Sequence, residues 1–144
     1  MTMAAQDRTQ EQSSTQQAPS TLNFNSILIG TAQPTVLAEF YEKVFGRPAD
    51  MIEGPYYGWQ VGSCFLTVGE HSEVKGQAKE PARILLNFET SAVREEFERL
   101  KQLGVKVIKE PYTMEADETA EGWIATLADP DGNYIQLMSP FEMS

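Results

Sequence analysis

The chain has 144 residues, the length of one domain, and its 41% apolar fraction is enough to build a core. A net charge of −10 disfavours nucleic acid and anionic membrane as partners, and no apolar run is long enough to span a bilayer. The one cysteine, Cys64, excludes an internal disulfide; with no apolar leader-like stretch near the start, the expectation is a cytoplasmic protein.

Residues 1–21 are rich in Gln, Ser and Thr and carry no apolar period, so they read as a disordered tail. The domain is expected over residues 22–140. Residues 22–31 read as a strand, with Phe24, Ile27, Leu28 and Ile29 as β-formers. A helix then starts at Gln33-Pro34-Thr35. Val36, Leu37, Phe40, Tyr41, Val44 and Phe45 make its apolar stripe, and Gly46 ends it. Strands follow at 50–53, 59–61 and 63–69, with turn-rich Gly54-Pro55-Tyr56-Tyr57-Gly58 after the first. Residues 70–80 read as a linker. The pattern then restarts with a strand at 83–89 and a helix striped by Val93, Phe97, Leu100 and Leu103. Gly104 ends this helix, residues 105–109 make a strand, and 113–122 form an acidic loop.

A hairpin closes the domain. Residues 123–128 run in and residues 134–138 run out. Between them lies Asp129-Pro130-Asp131-Gly132-Asn133, where Pro130 pre-sets φ and Gly132 supplies a positive φ. This loop is no EF-hand, which needs Gly sixth and Glu twelfth; here Gly is fourth and Pro140 is twelfth. The two halves repeat: Gly46, Pro55, Tyr56 and Trp59 answer Gly104, Pro111, Tyr112 and Trp123. A βαβββ unit buries its sheet face poorly alone, so two copies, 22–76 and 80–140, should pack together.

The Asp-Pro-Asp-Gly-Asn-Tyr hairpin and the repeat resemble the glyoxalase/bleomycin-resistance/extradiol-dioxygenase proteins, the vicinal oxygen chelate superfamily. The resemblance implies an α+β fold: two βαβββ modules forming an open eight-stranded barrel-like sheet, helices outside, with a ligand between the sheets. It also implies a homodimer. Metal-dependent members of that family place His or Glu on the first and last strand of each module. Those places fall here at Ser26, at Leu66 or Thr67, at Leu85 and at Gln136. Divalent metals of this class want imidazole or carboxylate. The expectation is therefore no metal and no cofactor, with metal-dependent glyoxalase and dioxygenase chemistry disfavoured.

Without a metal, the site must come from inward-facing strand residues. Alternation adds Arg83 and Asn87 beside Leu85, and Tyr134 and Met138 beside Gln136. With Ser26 and Gln136 these would give a few polar groups in an apolar pocket, as small-molecule sites usually have. Tyr57, Trp59 and Trp123 are candidate stacking surfaces, as are Tyr56 and Tyr112. His71 and Cys64 are the possible base and nucleophile, and Glu115, Asp117, Glu118 and Glu121 a possible lid. The reading is a binding protein for a small organic molecule, with sequestration or resistance as its role. The alternative is a lyase, isomerase or dioxygenase acting on an oxygenated small molecule, with or without a divalent metal. No nucleic acid or membrane partner is expected.

Overall fold

The repeat in the sequence is the repeat of the fold. A computed structural model describes residues 19–113 and 122–140. The first half runs β1 (Ser26–Thr31), α1 (Pro34–Phe45), β2 (Met51–Glu53), β3 (Tyr56–Val61) and β4 (Cys64–Glu70). The second runs β5 (Leu86–Glu89), α2 (Val93–Gln102), β6 (Lys106–Thr113), β7 (Trp123–Ala128) and β8 (Tyr134–Met138). The strands form two open four-stranded sheets, ordered β1-β4-β3-β2 and β5-β8-β7-β6. In each, the first strand pairs parallel with the last, and the remaining pairs are antiparallel. The acidic loop and residues 1–18 of the expected tail lie outside the described residues.

Several strand boundaries differ from expectation: β3 begins at Tyr56, inside the stretch read as a turn, rather than at Trp59, and two other strands start late for local reasons. The first strand begins at Ser26 rather than at residue 22. Its only neighbour, β4, begins at Cys64, and the ladder ends where Phe65 N–H meets Asn25 C=O. Leu22 and Phe24 are left 91% and 83% exposed. The fifth strand begins at Leu86, not at Arg83. Pro81–Arg83 is instead a 3-10 turn, closed by Arg83 N–H to Glu80 C=O. Proline suits the first position of such a turn because it lacks the N–H that would go unused. Strand β6 runs on through Pro111, which an irregular edge strand tolerates; its register against β7 shifts twice.

Each sheet carries a helix on one face only. Helix α1 packs on β1 and β4, and α2 on β6, β7 and β8. Ile27, Ile29, Leu66, Val68 and Trp59 point to the helix side of the first sheet. On the second, Leu86, Phe88, Ile135, Leu137, Ala125 and Leu127 do so. All join one core with most of both helix stripes; Val36 and Leu103, 44% and 47% exposed, stay outside it. Phe45 of α1 bridges the halves, its ring 5.5 Å from Trp59 and 5.5 Å from Phe88.

Polar ties fix the modules at two further points. Arg99 of α2 donates to the Lys43 and Val44 carbonyls at 2.9 and 2.7 Å, two of those an α-helix end leaves without partners. The second tie is the turn between β7 and β8. Asp129 accepts four hydrogen bonds there: from Asp131 N–H, Asn133 N–H, the Asn133 amide and the Tyr41 hydroxyl, the last at 2.8 Å. Beside it Gln33 donates to Asp131 at 2.7 Å. Burial pushes the Tyr41 phenol well above its ordinary value, and the Asp129 carboxylate beside it adds to the shift. Burial also raises Asp129, outweighing the bonds it accepts from Asn133 and Tyr41.

Tyr41→Phe should cost about 1–3 kcal/mol, because it leaves a buried carboxylate oxygen short of a donor. The alkaline limb tests the same contact. The folded phenol holds its proton above the usual value of 10.0 and the unfolded phenol does not, so this contribution is lost as pH climbs from there toward the raised folded value. Denaturant melts between neutral pH and the alkaline limit should fall more steeply for the wild type than for Tyr41→Phe.

Candidate functional site

Opposite each helix-covered face lies an open one. On the second sheet, strand register lines up Asn87, Gln136, Thr126 and Lys109 in one row across β5, β8, β7 and β6. The Gln136 amide donates to the Thr126 hydroxyl at 3.2 Å, which orients it along the row. The next row is Glu89, Met138, Ile124 and Tyr112, and Tyr134 lies on the other side of Gln136. Lys109 Nζ sits 4.7 Å above the centre of the Tyr112 ring. Gln136, Met138 and Tyr134 are half-buried and Asn87 is exposed, so this surface is sheltered but reachable.

On the first sheet the open face holds Ser26, Leu28, Phe65, Thr67, Tyr56 and Gln60. Two glycines let rings lie against it. A Cβ at Gly69 would run into the Tyr56 ring, and one at Gly58 into the Phe65 ring. Glycine within a strand marks such a close approach, so the sequence did carry a signal for this aromatic floor. Among the described residues neither open face is enclosed: Leu28 is 56% exposed, and Ser26, Asn87 and Glu89 are exposed.

The sequence-derived candidates therefore divide. Asn87, Gln136, Tyr134 and Met138 share the open face of the second sheet, and Ser26 lies on that of the first. Arg83 is not on a strand; it sits in the 3-10 turn, ion-paired to Glu80 at 3.0 Å, in a shallow hollow shared with Tyr134. Trp59, Tyr57 and Trp123 fall on the helix side, because alternation puts them with Leu66, Val68 and Ala125. Trp59 is fully buried and donates its indole N–H to the Arg47 carbonyl at 3.0 Å. Trp123 lies under the Arg94 guanidinium of α2, 4.6 Å from its ring centre. Thr126 and Lys109 were missed. Thr126 sits amid an apolar run, and the bulges of β6 disguise which face Lys109 takes.

The fourth-strand metal place resolves to Thr67 on the open face, since Leu66 is 3% exposed in the core. Ser26, Thr67, Leu85 and Gln136 offer two hydroxyls, no donor and an amide. That set does not fit a divalent ion that wants imidazole or carboxylate. Among the described residues no three His, Cys, Asp or Glu side chains come together as a metal site. Cys64 opens β4 and His71 lies just past its end, about 23 Å away at strand rise, too far for a thiol and its base. His71 Nδ1 accepts the Glu73 N–H at 3.2 Å.

The two tryptophans should behave as structural groups. Trp59→Phe should cost about 1–2 kcal/mol in urea unfolding, chiefly the indole hydrogen bond. Acrylamide should quench Trp123, measured in Trp59→Phe, more strongly than Trp59, measured in Trp123→Phe.

The structure is similar to several solved ones. A glyoxalase-related enzyme from Fulvimarina pelagi superposes with a TM-score of 0.65 at 18% identity, over 82% of this chain and 88% of that one. A glyoxalase/bleomycin resistance protein from Albidiferax ferrireducens gives 0.64 at 17%, over 81% and 98%. A glyoxalase/bleomycin resistance protein/dioxygenase family enzyme from Burkholderia phytofirmans gives 0.64 at 22%, over 83% and 100%. These likenesses establish the fold. Among curated proteins none matches in sequence. The glyoxalase-like domain family matches residues 26–138, from the first residue of β1 to the last of β8. With both modules and the closing hairpin inside that match, the chain belongs to the glyoxalase-like domain family.

Proposed function

We propose that this protein binds a small organic molecule on the open face of its second sheet, without a metal, and that sequestration is its role. The observation that carries the reading is the row Asn87–Gln136–Thr126, with the Gln136 amide held by the Thr126 hydroxyl. An amide both donates and accepts, so it can orient a polar ligand where a carboxylate would fix a cation. Tyr134 and Met138 flank it as apolar surface. The central groups Asn87, Gln136 and Thr126 hold a molecule by hydrogen bonds and have no acid or base directly opposite them in register but Lys109 at the far edge, which favours binding over catalysis.

A second copy of the chain would complete the site. Each open face is exposed, one floored by Tyr56 and Phe65 and the other crossed by the polar row. Ile84 is 71% exposed and Leu85 38%, at the β5 edge; Leu28 is exposed on β1, an edge strand of the other sheet. Two copies that set the first face of one over the second face of the other would cover this apolar surface and enclose the ligand. Sedimentation at micromolar concentration should give the dimer mass; a monomer alone would remove this part of the proposal.

Gln136→Glu tests the metal-free reading. It should not bind Zn²⁺ or Mn²⁺ stoichiometrically in calorimetry, because Ser26, Thr67 and Leu85 still offer no strong donor. It should instead weaken ligand binding by placing a carboxylate on a half-buried surface. Native mass spectrometry of the purified wild type should show a carried small molecule or accept one from a mixed library. Tight metal binding by the single variant would mean that other residues complete a metal site.

A further inference from the structure

We propose that the molecule bound by this open face carries an anionic group, and that Lys109 is the residue that receives it; this rests on the ligand-binding reading above. The polar row is neutral along three of its four members, and its charge is all at one end. Strands lie about 4.8 Å apart, so Lys109 stands about 14 Å from Asn87 and about 10 Å from Gln136. Its ammonium has no ion-pair partner among the described residues. Glu89, the acid on this face, stands in the next row on the opposite edge strand and does not neutralise it. Glu110 follows Lys109 in the chain and is exposed, and Lys106 adds a like charge at the start of β6.

The Tyr112 ring gives the ammonium a position. A cation 4.7 Å above a half-buried ring is drawn down onto the sheet rather than left to wave in solvent. With three N–H donors, it can face the ring and still offer donors to an anion beside it. The ligand class that fits is an elongated organic acid. Its carboxylate, sulfonate or phosphate would lie over β6, and its polar middle against Gln136 and Thr126. An edge-strand lysine also deters strand pairing with other chains. That role needs only a charge and gives no preference among ligands, so the two roles separate experimentally.

The test uses one ring system with and without an acid group. 8-Anilinonaphthalene-1-sulfonate and N-phenyl-1-naphthylamine are titrated by fluorescence into the full chain and into three variants: Lys109→Met, Lys109→Arg and Asn87→Trp. Both positions are exposed, so the variants should fold. The wild type should bind the sulfonate at least about fivefold more tightly than the amine, the order of one partly screened charge pair. Lys109→Met should abolish that preference by weakening the sulfonate alone, and Lys109→Arg should keep it. Asn87→Trp, which crowds the row, should weaken both probes. If it weakens both but the wild type has no preference, or Lys109→Met keeps one, the anionic class is wrong and the site stands. If Asn87→Trp leaves both unchanged, or neither probe binds, the site itself is wrong and this inference falls with it.

Discussion

The Tyr41–Asp129 hydrogen bond is the contact on which the arrangement of the two modules depends. It joins the first module's helix to the second module's last turn, across 88 residues of sequence. Asp129 accepts three hydrogen bonds from its own turn, from Asp131 and Asn133, and has room for the fourth from Tyr41. One carboxylate thus shapes the β7–β8 hairpin and docks it against α1. Gln33, the residue just before α1, repeats the tie through Asp131, and Arg99 makes a third from the other direction. Non-directional burial around Phe45 could tolerate sliding of one sheet past the other. Fixed polar partners at both ends of α1 remove that freedom, and the open faces keep a set geometry as a result.

That division explains what the sequence disclosed. The fold was legible because it is carried by local signals: helix stripes ending in glycine, the Asp-Pro-Asp-Gly-Asn turn, and their repetition. Strand faces were less legible, because a slip of one residue inverts every assignment. Leu66 and Thr67 are adjacent, yet one is core and the other is open surface. Tyr56 and Tyr57 differ in the same way. Trp59 and Trp123 had the chemistry of stacking surfaces, but their parity puts them under the helices. Arg83 required knowing that Pro81 opens a turn instead of a strand. Lys109 required knowing where β6 bulges, which depends on its pairing with β7 and not on its own residues.

The helix-covered faces and the open faces are under different physical demands. The former must fill a core to native density, so Leu, Ile, Val and aromatic rings occupy nearly every position. The latter carry hydroxyls, amides, a lysine and a glutamate at positions where the sheet itself has no need of them. At residue 136 the Gln amide finds its partner in the Thr126 hydroxyl, without drawing on the core beneath it. Whatever chemistry the open face performs sits on a surface whose composition the core does not dictate.

Charge sets the remaining constraint on what can bind there. The whole chain carries −10, and its long-range field repels an anion. At physiological ionic strength that field decays over about 8 Å, so distant carboxylates count for little once a ligand reaches the sheet. At contact range the nearest charge decides, and among the described residues on the β6 side of the open face that charge is Lys109, held down by Tyr112. Covering the face with a second chain would exclude water and strengthen the local term relative to the screened one. A protein that repels anions at a distance and receives one at contact would gain nothing in encounter rate. Its selectivity would reside in how slowly a correctly seated acid leaves.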